Sequence, residues 1–173
     1  MKSMRSVLWA LFGVWIAALA IGEELRLNSR IAVDVMGEDA TFQLVPGLEA
    51  QGKVLCLWKG DALQASFLTS SEVFEGTEEA YLKRTTSGMK AQGAKRIKRE
   101  LGERFTSAGG VEWLPAVVTA KHGGLDAVQF MYVSKLGENV ELVIVTLTDA
   151  SFRSDIEGRA DRLLESVTRV GNG

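Results

Sequence analysis

The chain has 173 residues, of which 46% are hydrophobic and 24% are charged, and its formal net charge is −2. This length is typical of a single domain, and the composition allows a substantial buried core. Because the net charge is close to zero, the protein as a whole has no attraction for nucleic acid or an anionic membrane, and any docking by charge requires a local patch.

The N-terminus has the three-part pattern of a secretory signal peptide. Lys2 and Arg5 precede an uncharged apolar run from Val7 to Ile21, and Ala18-Leu19-Ala20 matches a cleavage site. As a helix the run reaches only about 22 Å, short of the roughly 30 Å hydrocarbon core. We therefore predict a cleaved signal over residues 1–22 and a periplasmic or secreted domain over residues 30–171. A retained membrane anchor is the alternative.

Short hairpins are predicted in the first half of the domain, after a linker over residues 23–30. Apolar or alternating runs bounded by turn residues indicate strands, here at residues 31–36, 40–45, 53–58 and 63–69. Cys56 is the sole cysteine, so no intramolecular disulfide can form, and it stands between leucines. We predict a buried core cysteine rather than a reactive thiol.

The first helix is predicted over residues 78–92. Thr77 is a suitable N-cap, acidic residues follow it, and Gly93 suits the position after the last turn. Leu82, Thr85 and Met89 form a narrow stripe for the core. The charged segment 95–104 fits either a helix or a strand. Gly102 favours a strand, which leads into the next segment.

Three antiparallel strands are predicted between Val111 and Asp149. Gly123-Gly124 and Gly137-Glu138-Asn139 supply the short connections that hairpins require. The third strand, Leu142 to Leu147, is apolar at both odd and even positions. Both of its faces must therefore be covered.

A C-terminal helix is predicted from Ser154, whose spacing to Glu157 matches a capping box. An apolar stripe continues through Ile156, Ala160, Leu163, Val167 and Val170, and Asp155–Arg159 and Glu165–Arg169 are predicted helix-surface pairs. With one helix on each side of the sheet, the domain would have three layers.

Two short motifs carry a family resemblance: Phe42-Gln43-Leu44-Val45-Pro46-Gly47 near the start and Leu163-Leu164-Glu165-Ser166-Val167 near the end. Together with the element order they resemble the PsbP-like superfamily, named for extrinsic proteins of photosystem II, and the related DcrB-like bacterial envelope proteins. Leu48 stands where that family usually has an aromatic residue. The resemblance implies an α+β fold, an α/β/α sandwich on a curved antiparallel sheet, and a binding or assembly role without catalysis.

Catalytic signals are weak. His122 is the single histidine, so a zinc site would depend almost wholly on carboxylates. Ser87 and Lys90 match S-x-x-K without its companion motifs, and no phosphate-binding loop is present. Trp58 and Trp113 lie in apolar strand contexts and are predicted to be core residues. No metal or other cofactor is expected.

Basic residues are concentrated at Lys95, Arg96, Lys98 and Arg99. These residues could dock an anionic partner, or they could be the solvated side of an edge strand, where lysine prevents aggregation. Nucleic acid is not expected, since interleaved aromatic residues are missing. We predict an exported, non-catalytic binding or assembly-factor domain that engages an envelope protein. The alternatives are a membrane-tethered structural subunit and a hydrolase that uses carboxylates or Ser87 with Lys90.

Overall fold

The computed structural model describes residues 24–34, 41–45, 53–59 and 61–170. The predicted signal peptide and the Pro46-Gly47 part of the opening motif lie outside these residues. Within the described residues, no helix combines the length and apolar character needed to cross a membrane.

Antiparallel strands and two helices make up the described chain. The strands are β1 (Glu24–Arg26), β2 (Ile31–Asp34), β3 (Thr41–Val45), β4 (Lys53–Lys59), β5 (Ala62–Val73), β6 (Lys95–Leu101), β7 (Phe105–Thr106), β8 (Glu112–His122), β9 (Leu125–Leu136), β10 (Asn139–Leu147) and β11 (Thr168–Arg169). The helices are α1 (Glu78–Ala91) and α2 (Arg153–Glu165), and a 3-10 turn over Ala150–Phe152 leads into α2.

The main sheet has the strand order β3-β4-β5-β10-β9-β8-β6, with β7 paired to β8. The predicted meander is confirmed as β8, β9 and β10. Gly123 (φ 60°) and Gly124 (φ 88°) form the first turn, and Gly137 (φ 67°) lies in the second. All three have the left-handed conformation that glycine adopts without steric cost.

Both faces of the central strand β10 are buried, as its apolar character predicted. Val143 and Val145 belong to a large core on the side that α2 covers, which we call the α2 face. Val140 and Leu142 belong to a smaller core on the opposite side, the α1 face. The α+β fold and the placement of one helix on each side of the sheet are therefore confirmed.

Helix α1 follows its prediction closely. The Thr77 side chain accepts a hydrogen bond from the Ala80 backbone N–H, and Gly93 takes φ 94° just after the helix. Tyr81 and Leu82 are buried against β8, β9 and β10. Residues 95–101 form a strand, as Gly102 indicated.

The predicted start of α2 is wrong. The helix begins at Arg153 after Phe152, which makes no side-chain capping bond. Asp149 instead accepts a hydrogen bond from the Ser151 backbone N–H and caps the preceding 3-10 turn. Because that turn runs directly into the helix, Ser154 already lies inside it and cannot act as its cap.

The predicted end of α2 is also too late. The helix stops at Glu165, whose carbonyl accepts a hydrogen bond from the Ala108 backbone N–H at 2.8 Å. The chain then enters β11, so the predicted Glu165–Arg169 helix pair does not exist, and Arg169 donates to the Gly110 carbonyl at 3.0 Å. The predicted Asp155–Arg159 pair is present at 3.4 Å.

A second, small sheet of order β1-β2-β11 was not predicted. Residues 24–26, expected to be part of a linker, form its first strand. Its apolar side chains, including Ile31 and Val33, join α2 in covering the α2 face of the main sheet. The C-terminal segment thus contributes a helix and a strand to the same layer.

Candidate functional site

Strand β6 forms an edge of the main sheet: among the strands that the structure describes, it pairs only with β8. Ile97 is partly buried against the α1-face core, and the other β6 residues are exposed. An edge strand presents unpaired backbone groups that can template another chain, and exposed basic residues are a common protection against this. The strand therefore fits both interpretations of its basic sequence.

A β-bulge divides the predicted basic residues between the two faces of the sheet. Lys95 lies opposite Lys121, while Lys98 lies opposite Thr119, so two residues of β6 face one residue of β8. The intervening Arg96 takes φ 52° and is the one non-glycine residue with positive φ in the described part of the chain. A bulge of this kind redirects the side chains that follow it.

The strand register then assigns each cation to a face. Lys95 and Lys98 share the α2 face with Lys121, whereas Arg99 lies opposite Val118 on the α1 face. The structure therefore does not gather Lys95, Arg96, Lys98 and Arg99 into one patch.

A hollow of about 560 Å³ lies between the start of β6 and the end of β8. Its lining consists of six residues from two chain corners, which we call the basic corner: Gly93, Lys95, Arg96, Lys121, Gly123 and Gly124. Three of the six are cations and none is acidic. The corner can therefore attract and hold an anionic group.

Ion pairing distinguishes the β6 cations from their neighbours. Arg84 pairs with Glu72, Arg104 with Glu78 and Glu112, and Lys121 with Asp126 at 3.3 Å. Within the described residues, by contrast, Lys95, Arg96, Lys98 and Arg99 form no ion pair. Four cations without an ion pair therefore lie within five residues of β6, followed by Glu100, which the register places on the α2 face with Lys98.

Lys121 was missed by the sequence reasoning, although it stands two residues before the Gly123-Gly124 turn. The turn fixes its partner on β9 as Asp126. Its partner on β6 is set by the pairing register of β6 with β8 and by the bulge at Arg96. The sequence gives no local signal for either. Only the structure brings Lys121 to Lys95.

Of the side chains considered for catalysis, Ser87, Lys90 and Cys56 do not line this corner, whereas His122 lies in the chain between two lining residues, Lys121 and Gly123. Ser87 and Lys90 are exposed on α1, and the Ser87 hydroxyl donates to the Lys83 carbonyl at 2.9 Å. Cys56 is 2% exposed, and burial raises the pKa of its thiol. His122 ends β8, and no group of three or more potential metal ligands occurs in the described ranges.

Glu141 is a buried polar residue that sequence reasoning also missed. It is 1% exposed and lies between Val140 and Leu142 of β10. Its carboxylate accepts hydrogen bonds from Asn28 at 2.6 Å and Ser71 at 2.8 Å, and Arg30 lies 3.5 Å away. Since Asn28 and Arg30 belong to the β1–β2 connection, the carboxylate fastens the small sheet to the main one. It has a structural role.

The described fold is PsbP-like: an antiparallel sheet between helices on its two sides. The cyanobacterial PsbP from Synechocystis sp. PCC 6803, a solution structure, is similar with a TM-score of 0.56 and 10% sequence identity, over 91% of this chain and 98% of that one. A Pseudomonas aeruginosa protein of unknown function, described as a putative regulator, gives a TM-score of 0.44 and 15% identity over 82% of this chain and 94% of that one. No protein-family model and no curated protein sequence match.

Proposed function

We propose that this chain is an exported, non-catalytic binding or assembly domain that docks an acidic protein of the cell envelope. The docking surface consists of the basic corner together with Lys98, which lies on the same face. The observation that carries the proposal is the uncompensated positive charge of β6 beside Lys121, arranged around a hollow.

The proposed docking face offers charge rather than an exposed apolar centre. Leu125 is 75% exposed after the same Gly123-Gly124 turn, but it lies opposite His122 and therefore on the α1 face, away from Lys95, Lys98 and Lys121. A partner on the α2 face would therefore be recognised mainly through its acidic groups, which govern the rate and specificity of association.

Binding without catalysis is supported by the state of the candidate nucleophiles. Burial favours the neutral thiol of Cys56, which is a poor nucleophile. The Ser87 hydroxyl donates to a backbone carbonyl of its own helix and is exposed. Neither residue borders the hollow, which is lined by lysine, arginine and glycine.

The test is capture of partners from an envelope fraction at low and high salt. We expect the unaltered protein to retain an acidic partner at low salt and to release it as salt rises, because exposed charges are screened. The variant Lys95→Glu with Lys98→Glu should capture little at any salt. Arg99→Glu on the opposite face is the control, matched in charge to Lys95→Glu alone, and should retain the partner. Equal loss in both variants would contradict the proposed surface.

The N-terminus of the mature protein distinguishes export from membrane tethering. Cleavage after Ala20 predicts that intact-mass measurement of the protein from its native host gives a chain that starts at Ile21. A chain that retains Lys2 and Arg5 and remains with the membrane would instead support the tethered alternative.

A further inference from the structure

We infer that the hollow of the basic corner is a carboxylate-binding site for an extended acidic segment, in which glutamate or aspartate occurs at alternate positions. This inference rests on the proposed function and makes it more specific. Four features of the corner lead to it.

The first feature is a pair of like charges. Lys95 and Lys121 occupy directly opposite positions of the β6–β8 ladder. Like charges at such positions destabilise an antiparallel pair. Asp126 neutralises Lys121 in part, whereas Lys95 has no acidic partner within the described ranges. A carboxylate placed between the two ammonium groups would reverse this local cost.

The second feature is the backbone of Arg96. A residue with a side chain is strained at φ 52°, and glycine would relieve that strain. Arginine at this position adds a guanidinium to the rim of the hollow, and its planar fork can bind a carboxylate through two hydrogen bonds. Residues that break a local rule are concentrated at functional sites.

The third feature is the open backbone of the glycine corners. Gly93, Gly123 and Gly124 all have positive φ, and a Cβ atom added to any of them would meet no atom within 4 Å. Left-handed turns of this kind form concave surfaces in which backbone amides can contact anions. The hollow is therefore accessible from solvent at each of its glycine sides.

The fourth feature is size together with the free edge. A volume of about 560 Å³ is that of a pocket for a side chain with its adjoining backbone and exceeds the needs of a bare ion. The outer edge of β6 can pair with an added strand. Because side chains alternate along a strand, a segment with one carboxylate in the hollow would direct its next same-face carboxylate toward Lys98, about 7 Å away.

The experiment is a calorimetric titration of the protein at low salt with three synthetic peptides of equal length. One carries glutamate at alternate positions separated by threonine, the second carries the same residues with the glutamates contiguous, and the third has glutamine in place of each glutamate. We expect the alternating peptide to bind most tightly and the glutamine peptide to show no binding. Equal affinity for the two glutamate peptides would overturn the alternate-position site.

The decisive variant is Arg96→Gly. It relieves the strained backbone and removes the whole side chain, the guanidinium included. We expect it to weaken the alternating peptide about tenfold, the effect of losing one charge-assisted hydrogen bond, with an unfolding midpoint equal to or above that of the parent. Arg99→Ala removes the same charge from the opposite face and should change the affinity less than twofold. Unchanged affinity in Arg96→Gly would overturn the inference.

The inference and the proposed function fail separately. If the alternating peptide does not bind but envelope capture still depends on Lys95 and Lys98, the hollow is not a carboxylate site and the docking face stands. If the peptide binds in an Arg96-dependent way but no envelope protein is retained, the carboxylate site stands and the envelope partner is wrong.

Discussion

The two ends of strand β8 differ in almost every physical respect. At one end Trp113 is completely buried in the α2-face core. At the other end Lys121 borders an open hollow and lies opposite a second lysine, Lys95. At the buried end the Trp113 ring packs into the core, although its indole N–H has no hydrogen-bond partner among the described residues. At the open end Lys95 of β6 is followed by Arg96 with its positive φ. The contrast indicates that the core supplies the stability and that the open end is free to serve binding.

The largest expected change in the free energy of unfolding comes from a substitution at the buried end of β8. Trp113→Ala removes a fully buried indole from the α2-face core. We expect it to lower the free energy of unfolding by about 3–5 kcal/mol, the range for large aromatic truncations. Urea unfolding followed by circular dichroism measures this. A loss below about 1 kcal/mol would mean that the core is not where the stability lies.

Next in size is a matched pair of glycine substitutions. A Cβ atom on Gly109 would lie 2.4 Å from the Cα of Thr168, so Gly109→Ala must push the 107–111 loop away from β11. We expect a loss of about 1–3 kcal/mol in the free energy of unfolding. Gly88→Ala, on the open surface of α1, should gain about 0.5–1 kcal/mol instead. Thermal unfolding of both variants tests the close approach of loop and strand.

The α1 face gives a prediction about pH. Burial, together with a hydrogen bond to Glu72, raises the pKa of Tyr81 to about 12. Because the folded protein holds this proton more tightly than the unfolded chain, the stabilisation is complete below pH 10 and is lost as the pH rises from about 10 to 12. Tyr81→Phe should lose about 1–2 kcal/mol less than the parent over that interval. Parallel pH losses in both proteins would place the Tyr81 hydroxyl in water.

The smallest expected change in stability comes from a substitution at the open end of β8. Lys95→Glu replaces a like-charge pair with an opposite-charge pair across β6 and β8. We expect the free energy of unfolding to rise by about 0.2–1 kcal/mol while binding of acidic partners falls. Urea unfolding at low salt measures the gain. A loss of stability would show that Lys95 does not face Lys121.

The meander and the helix cover could be predicted because their signals are local. The Gly123-Gly124 turn and the doubly apolar strand over Leu142 to Leu147 each determine structure within a few residues. The small sheet could not be predicted, because it pairs residues near 30 with residues near 168. The capping box at Ser154 misled for a local reason: Asp149 offered an earlier cap, and the 3-10 turn it supports continues into the helix.

The candidate site was only half predictable. The composition of residues 95–99 predicted a basic segment. The β-bulge that divides its side chains between the two faces of the sheet could not be predicted from the residue types. Glu141 shows the same limit in the core. From the sequence alone, the side chain of Glu141 is expected to face solvent. It is buried instead because its carboxylate accepts hydrogen bonds from Asn28 and Ser71.

Central to this account is the separation of stability from binding at the two ends of β8. The most direct test is one variant, Lys95→Gln with Arg96→Gly and Lys98→Gln, measured for both its free energy of unfolding and its capture of an acidic envelope partner at low salt. We predict that capture is lost while the free energy of unfolding is unchanged or higher. Retained capture, or a loss of stability in step with the loss of capture, would contradict the account.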